Sequence, residues 1–250
     1  MTEKIDKYKV QAALVRSFFD AFSHGVIESQ MEDRNEKTTP QSVKKLMLEH
    51  YEHIAPAFFD TMFFPLAAMN YKYEDIAALA REAQQRGDDM MALVRTACGD
   101  EAYYNAMVEE YKRNFSMLLA GRYLSNADHL EGYVRKAEAE TEASVDSDRA
   151  IELTVRVVMF AYVRGLRQTG EGARSDRSAH LRQVHPLRGA TLFRLMLDAM
   201  NILLLDEAVD FADAEAADLA SLFLKVCQTQ HNFTVMTNEM DRTYSELMKE

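Results

Sequence analysis

Eight arginines lie between Arg156 and Arg194, a stretch that contains no lysine and only two acids, Glu171 and Asp176. The whole chain has 29 basic and 40 acidic residues, so its net charge is −11. The positive charge is therefore segregated rather than mixed. A guanidinium group binds carboxylate and phosphate through two parallel hydrogen bonds. The stretch therefore predicts a site for an anionic ligand or partner.

The arginines of this stretch fall into two groups. The first group, Arg156, Arg164 and Arg167, comes at the end of a predicted helix, where cations interact favourably with the helix dipole. The second group lies in the glycine-punctuated segment 169–189, which predicts a mobile, arginine-rich loop. We expect the second group to bind the anion: Arg174, Arg177, Arg182 and Arg188. The alternative is that these arginines only neutralise acids elsewhere in the chain.

A second candidate for chemistry follows the most apolar stretch of the chain. Asp206, Glu207 and Asp210 have the spacing of carboxylates that hold Mg²⁺ against a diphosphate. Together with the arginines they would make a Mg²⁺-dependent phosphate or diphosphate enzyme. The favoured interpretation is a solvated acidic exit loop, with Asp213 capping the next helix.

Two weaker sets of potential metal ligands contain histidine. On one helix, Glu49, His50 and His53 would lie within reach of one ion. Cys227 and His231 stand one helical turn apart, but they supply only two ligands. No histidine follows a carboxylate at three residues' distance, which disfavours a di-iron enzyme. A charged surface turn is the preferred interpretation of residues 49–53.

Aromatic residues are concentrated between Tyr51 and Tyr73. Seven of the 24 aromatic residues of the chain lie there. Four of them could wall a pocket for an apolar ligand: Phe58, Phe59, Phe63 and Phe64. Packing in the core is the simpler interpretation. The sequence identifies no cofactor.

The elements that must position these residues are helices. Few glycines and prolines, the absence of tryptophan and abundant alanine, leucine, methionine and glutamate predict an all-α bundle of about nine helices. Gly87 and Gly99 each follow a periodic run and predict helix ends. No internal repeat of 30 to 50 residues is evident. We expect a single domain over 1–250, or two abutting lobes, 1–143 and 144–250.

The end of the chain predicts one long helix with a heptad pattern. Apolar and polar residues step by four and three through Leu219, Phe223, Val226, Gln230, Phe233, Thr237, Met240, Tyr244 and Leu247. Such a seam packs against the same chain or forms a homodimer through residues 213–248.

These observations favour a non-enzymatic interaction or regulatory protein over an enzyme. The partner would be an acidic protein segment, a nucleotide or a nucleic acid, and the last could bind to one face only, because the rest of the chain is acidic. A small-ligand sensor with an aromatic pocket is a third hypothesis. The chain contains no stretch long enough to cross a membrane, and its two cysteines form no zinc or redox motif, so we expect a cytoplasmic protein.

Overall fold

The computed structural model of the chain describes residues 3–34, 40–120, 143–168, 177–205 and 219–247. In these ranges the protein has ten helices and two strands of three residues each. The prediction of an all-α fold is confirmed.

The first half of the chain contains one short strand and six helices. They are β1 (Lys4–Asp6), α1 (Lys7–Arg34), α2 (Pro40–Glu49), α3 (Tyr51–Asn70), α4 (Tyr73–Arg86), α5 (Met90–Ala97) and α6 (Glu101–Ala120). Gly87 follows α4 with φ 75° and Gly99 follows α5 with φ 73°. Both glycines therefore adopt the left-handed conformation that commonly ends helices, as the sequence predicted.

The second half contains one short strand and four helices. They are β2 (Ser144–Asp146), α7 (Ser147–Gln168), α8 (Arg177–Leu204), α9 (Leu219–Cys227) and α10 (Gln230–Leu247). The prediction of a loop over residues 169–189 is wrong from residue 177 onwards, because α8 begins at Arg177. Arginine, leucine, glutamine and alanine favour helix, and they outweigh the single Pro186 and Gly189 in this helix. Residues 169–176 lie outside the described ranges.

The prediction of one long C-terminal helix is also wrong. Gln228 has φ 62°, which breaks the helix between α9 and α10. The hydroxyl of Thr229 then accepts a hydrogen bond from the backbone N–H of Asn232 at 3.1 Å and caps α10. The buried face of α10 carries Asn232, Met236, Glu239, Thr243 and Leu247. Except for Leu247, the predicted seam of α10 is half-buried or exposed.

The long helices α1 and α7 cross in the centre of the molecule with their backbones in contact. A Cβ atom on Gly25 would overlap the carbonyl oxygen of Tyr162 and lie 2.8 Å from the backbone nitrogen of Leu166. A Cβ atom on Gly165 would overlap the carbonyl oxygen of Phe22 in the same way. Only glycine therefore fits at either side of this crossing.

The contacts at this crossing are reciprocal. β1 and β2 pair antiparallel about Ile5 and Val145, two residues that are 140 positions apart. The N–H of Lys7 donates to Ala143 O, and the N–H of Ser147 donates to Glu3 O. Each contact becomes the other when every residue is replaced by its counterpart 140 positions away in the other half, Lys7 by Ser147 and Ala143 by Glu3, as in the isologous interface of a twofold dimer.

The second half of the chain therefore repeats the first. Helices α1, α3, α5 and α6 correspond to α7, α8, α9 and α10. Ala-Met-Asn occurs at 68–70 in α3 and again at 199–201 in α8. In the last two helices of each half, corresponding residues are 129 positions apart. The identical pairs at this spacing are Leu93 and Leu222, Cys98 and Cys227, Met107 and Met236, Glu110 and Glu239, Arg113 and Arg242, Ser116 and Ser245, and Leu118 and Leu247. The repeat is much longer than the 30 to 50 residues considered for the sequence.

Both halves contribute to one hydrophobic core. Phe18 and Phe22 of α1 and Val158 and Tyr162 of α7 are all within it and almost fully buried. In the described part of the chain, no helix is long and apolar enough to cross a membrane.

Candidate functional site

A chain of polar contacts joins the first and last helices of the first half. Arg16 of α1 approaches the Asn114 amide oxygen of α6 at 3.5 Å. The Asn114 amide nitrogen donates to the Glu110 carboxylate at 2.6 Å, and Arg113 forms an ion pair with Glu110 at 2.7 Å. Arg16 and Asn114 are buried, so their polar contacts satisfy groups that water cannot reach.

The second half repeats this arrangement with more charge. Arg156 corresponds to Arg16, and it pairs with Glu239 at 3.3 Å and with Glu246 at 2.8 Å. Glu239 also pairs with Arg242 at 2.7 Å and accepts a hydrogen bond from the Thr243 hydroxyl at 3.0 Å. Since both halves have the network, it holds the first helix of each half to the last and needs no functional explanation.

The crossing of α3 and α7 is filled by aromatic rings and one ion pair. The Arg156 guanidinium lies 5.3 Å from the centre of the Phe64 ring and 5.6 Å from that of Phe160. Arg164 forms an ion pair with Asp60 of α3. Both arginines are thus bound by carboxylates of the same chain. Arg156 lies in the middle of α7, so its predicted place at the end of a helix is wrong.

The equivalent crossing of α1 and α8 has different chemistry. Asp20 and His24 stand on α1 where α7 has Phe160 and Arg164, and Arg194 and Asp198 stand on α8 where α3 has Phe63 and Ala67. The Arg16 Nε donates to the Asp20 carboxylate at 2.9 Å.

The ring of His24 is oriented by the backbone of α1. Its Nδ1 lies 2.9 Å from the Asp20 carbonyl oxygen. Because a carbonyl only accepts hydrogen bonds, Nδ1 must carry the proton, which leaves Nε2 as the basic nitrogen of the neutral ring.

The two carboxyl groups at this crossing are half-buried. Burial raises the pKa of Asp20, and the neighbouring Arg16 offsets part of this rise. Burial raises the pKa of Asp198 to about 6, and the nearby negative charge of Asp20 adds to the rise. Within the described ranges, the Asp198 carboxylate accepts no hydrogen bond. A perturbed carboxyl group beside a histidine marks a candidate functional site, and this cluster is present at only one of the two crossings.

The four arginines predicted to bind an anion are not brought together by the described structure. Arg174 lies outside the described residues, as do the side chains of Arg177, Arg182 and Arg188. The backbone of the last three belongs to α8. Positions 177 and 188 are eleven residues apart and therefore share one face of the helix, while position 182 is on another.

The predicted metal ligands are either separated or outside the described ranges. Asp206, Glu207 and Asp210 lie outside. Glu49 and His53 belong to different helices, because the chain bends at His50, so the helical spacing assumed for them is wrong. No group of three or more His, Cys, Asp and Glu residues is placed to hold a metal ion in the parts of the chain that the structure describes.

The pair of Cys227 and His231 is separated by the break between α9 and α10. Cys227 is buried, and burial raises the pKa of its thiol to about 11. The His231 Nε2 lies 2.9 Å from the Asp148 carboxylate of α7 instead. The two residues are therefore not ligands of one ion in this structure.

The proposed aromatic pocket is part of the core. The Phe58 ring is fully buried and contacts Phe18 at 5.1 Å, Phe59 at 5.3 Å and Tyr111 at 4.7 Å between ring centres. Phe59, Phe63 and Phe64 pack against the same core. The rings therefore pack against one another in the core, which was the simpler interpretation of the segment from Tyr51 to Tyr73.

The fold thus defines a duplicated all-α protein in which the α1–α8 crossing carries two half-buried carboxyl groups that its counterpart lacks. Comparison of the chain with models of protein families, with characterised proteins and with solved structures finds no match. The pattern that would have revealed the site from sequence is the repeat itself, because Asp20 and Asp198 interrupt it at positions held by Phe160 and Ala67.

Proposed function

We propose that this chain is a non-enzymatic helical interaction protein that binds an anionic partner through Arg174, Arg177, Arg182 and Arg188. One observation carries the proposal. From Arg177 to Leu197, α8 has four arginines, two histidines and no acid, in a chain of net charge −11. Such a concentration of positive charge on an acidic protein attracts anions to one face.

The position of these residues in the helix supports the proposal. The first turn of α8 has no acidic residue, although acids at this end interact favourably with the helix dipole. Arginines at the positive end of the dipole reduce the stability of the helix. A bound anion would interact favourably with both the arginines and the dipole.

The candidate partners are an acidic protein segment, a nucleotide and a nucleic acid. A nucleic acid would contact only this face, since the remaining surface repels phosphate. A homodimer through residues 213–248 stays a prediction beside this proposal, because a second copy would leave the arginines of α8 available.

Replacing the four arginines with alanine tests the proposal. We expect the affinity for a labelled polyglutamate peptide, a single-stranded RNA or ATP to fall more than tenfold, and the salt dependence of binding to become shallower. Fluorescence anisotropy between 50 and 200 mM salt, about the physiological range, measures both effects.

The matched control removes four other positive charges from the surface. Lys45, Arg81, Arg86 and Arg95 are exposed residues of the first half. Their replacement with alanine changes the net charge by the same amount. The proposal fails if the control weakens binding as much as the arginine variant does, or if none of the three probes binds the wild type.

A further inference from the structure

Aromatic rings fill the space between α3 and α6 in the first half of the chain. Phe58 and Phe59 of α3 lie against Tyr111 of α6, with 4.7 Å and 6.1 Å between the ring centres. Phe19 of α1 completes the cluster, because its ring centre lies 5.3 Å from that of Tyr111. These four rings therefore occupy the space between the two helices.

The second half of the chain has no aromatic residue at any of the four equivalent positions. The repeated Ala-Met-Asn sets corresponding residues of α3 and α8 131 positions apart, and both helices are continuous over the positions concerned. The counterparts are Gly189 for Phe58, Ala190 for Phe59, Met240 for Tyr111 and Met159 for Phe19. The second half therefore has much less side-chain volume to place between α8 and α10.

The surface beside Gly189 is open to solvent. Phe193, one helical turn after Gly189, is 41% exposed, whereas its counterpart Met62 is fully buried. The Phe193 ring contacts the Phe223 ring of α9 edge to face at 5.6 Å, and Phe223 contacts Phe233 of α10 at 6.3 Å. Because a continuous helix cannot move inwards at one residue alone, the missing rings leave room between α8 and α10. Protein interiors are closely packed, so such a space favours an occupant.

The same part of α8 is basic where α3 is apolar. Ile54 and Ala57 are buried in the first half. The residues at the equivalent positions of α8 are His185 and Arg188. Arg188 belongs to the proposed anion site, and Gly189 follows it directly. A ligand that suits both features has a flat ring for the space and an anionic group for the arginines.

We propose that a nucleotide binds between α8 and α10, with its base in the space that Phe58 and Phe59 fill in the first half. Its phosphates interact with the arginines of α8, so the site rests on the proposed function and selects one of its candidate partners. A base has a flat face that can stack on Phe193, which a run of glutamates lacks. A nucleic-acid strand fits less well, because its further phosphates would face the rest of a chain with net charge −11.

Filling the space tests the proposal. Gly189→Phe gives α8 the residue that α3 has at this position, so the new ring should take the place of the base and leave the arginines unchanged. Isothermal titration calorimetry of the full-length protein compares ATP with inorganic tripolyphosphate. The wild type should bind ATP about tenfold more tightly, since stacking of a base on an aromatic ring contributes about this factor. Gly189→Phe should bind the two probes equally, with its affinity for tripolyphosphate unchanged.

Two further variants keep the test decisive. Gly189→Ala is the matched control, because it also removes the glycine from the helix but adds only a methyl group, and it should bind ATP as the wild type does. Met240→Tyr copies Tyr111 and fills the space from α10. It should lower the affinity for ATP in the same way, and it replaces Gly189→Phe if urea unfolding shows that this variant does not fold.

The results separate the nucleotide site from the anion site. A wild type that does not bind ATP, or binds it no more tightly than tripolyphosphate, would overturn the nucleotide site. So would an undiminished affinity for ATP in the folded Gly189→Phe variant. In each case the anion site stands if tripolyphosphate or polyglutamate binds and the replacement of all four arginines weakens this binding. If that replacement has no effect on either probe, the anion site is wrong as well.

Discussion

Two equivalent helix crossings, α3 with α7 and α1 with α8, join the halves of this molecule, and they differ in the side chains that fill them. Where α3 meets α7, Phe160, Phe64 and Ala67 fill the space, and the Arg156 charge is held by Glu239 and Glu246. Where α1 meets α8, Asp20 and Asp198 occupy positions equivalent to Phe160 and Ala67. The reciprocal contacts of Gly25 and Gly165 show that the surrounding frame is the same.

The comparison separates what the fold requires from what it only tolerates. Elements that occur in both halves, such as the glycine crossing and the arginine–glutamate networks, are explained by stability. Elements that occur in one half only, such as Asp20, Asp198 and His24, are not explained by stability. A duplicated chain thereby contains its own reference structure, and the differences between the halves are the places where a function is most reasonably sought.

The largest expected effect concerns the frame itself. Gly25→Ala and Gly165→Ala should each destabilise the protein by about 4 kcal/mol or prevent folding, because the added methyl group would overlap a backbone carbonyl that cannot move alone. Urea unfolding measures the change. Gly87→Ala is the control: it meets no neighbouring atom and should cost about 1 kcal/mol for its positive φ. A large loss at only one of the two central glycines would contradict the twofold relation.

The next effect compares the two arginine–glutamate networks. Glu239 is 2% exposed and binds Arg156, Arg242 and Thr243, so Glu239→Gln should cost about 3 kcal/mol, because it weakens three hydrogen bonds to a buried carboxylate and leaves Arg156 with Glu246 as its one carboxylate partner among those described. Glu110 is 15% exposed, and Glu110→Gln should cost about 1 kcal/mol. Glu101, an exposed partner of Arg95, is the control and should change the free energy of unfolding by less than about 0.5 kcal/mol when replaced with glutamine.

The smallest of the three effects comes from transferring the charge to the other crossing. Ala67→Asp should be less stable than Ala67→Asn by about 2 kcal/mol at pH 8, because the two side chains are similar in size but only the aspartate ionises. The difference should disappear as the pH falls below the pKa of the new carboxyl group. Equal stability of the two variants at pH 8 would show that this crossing is too well hydrated to penalise a carboxylate.

The sequence predicted the helical class and several helix ends because these depend on neighbouring residues. Gly87 and Gly99 end helices in the structure as they did in the prediction, since only glycine adopts a left-handed conformation at no steric cost. The prediction for the candidate site did not reach Asp20, His24 or Asp198. Asp20 and His24 are one turn apart on α1, but Asp198 lies on α8, far away in sequence, and no local spacing connects it to them.

The last two helices, α9 and α10, show which features follow from the sequence and which depend on the tertiary structure. The spacing of Phe233, Met240 and Tyr244 correctly indicated a helix but assigned its buried face wrongly, because apolar periodicity assumes that the neighbouring surface is apolar. The neighbouring surface is α7, whose half-buried Arg156 requires a carboxylate, and so Glu239 faces inwards. The sequence by itself determined that the chain is helical and where some of its helices end, through backbone propensity. Only the tertiary structure decided which side chains meet. The charged group or ring that each side chain contacts comes from another helix, often in the other half of the chain.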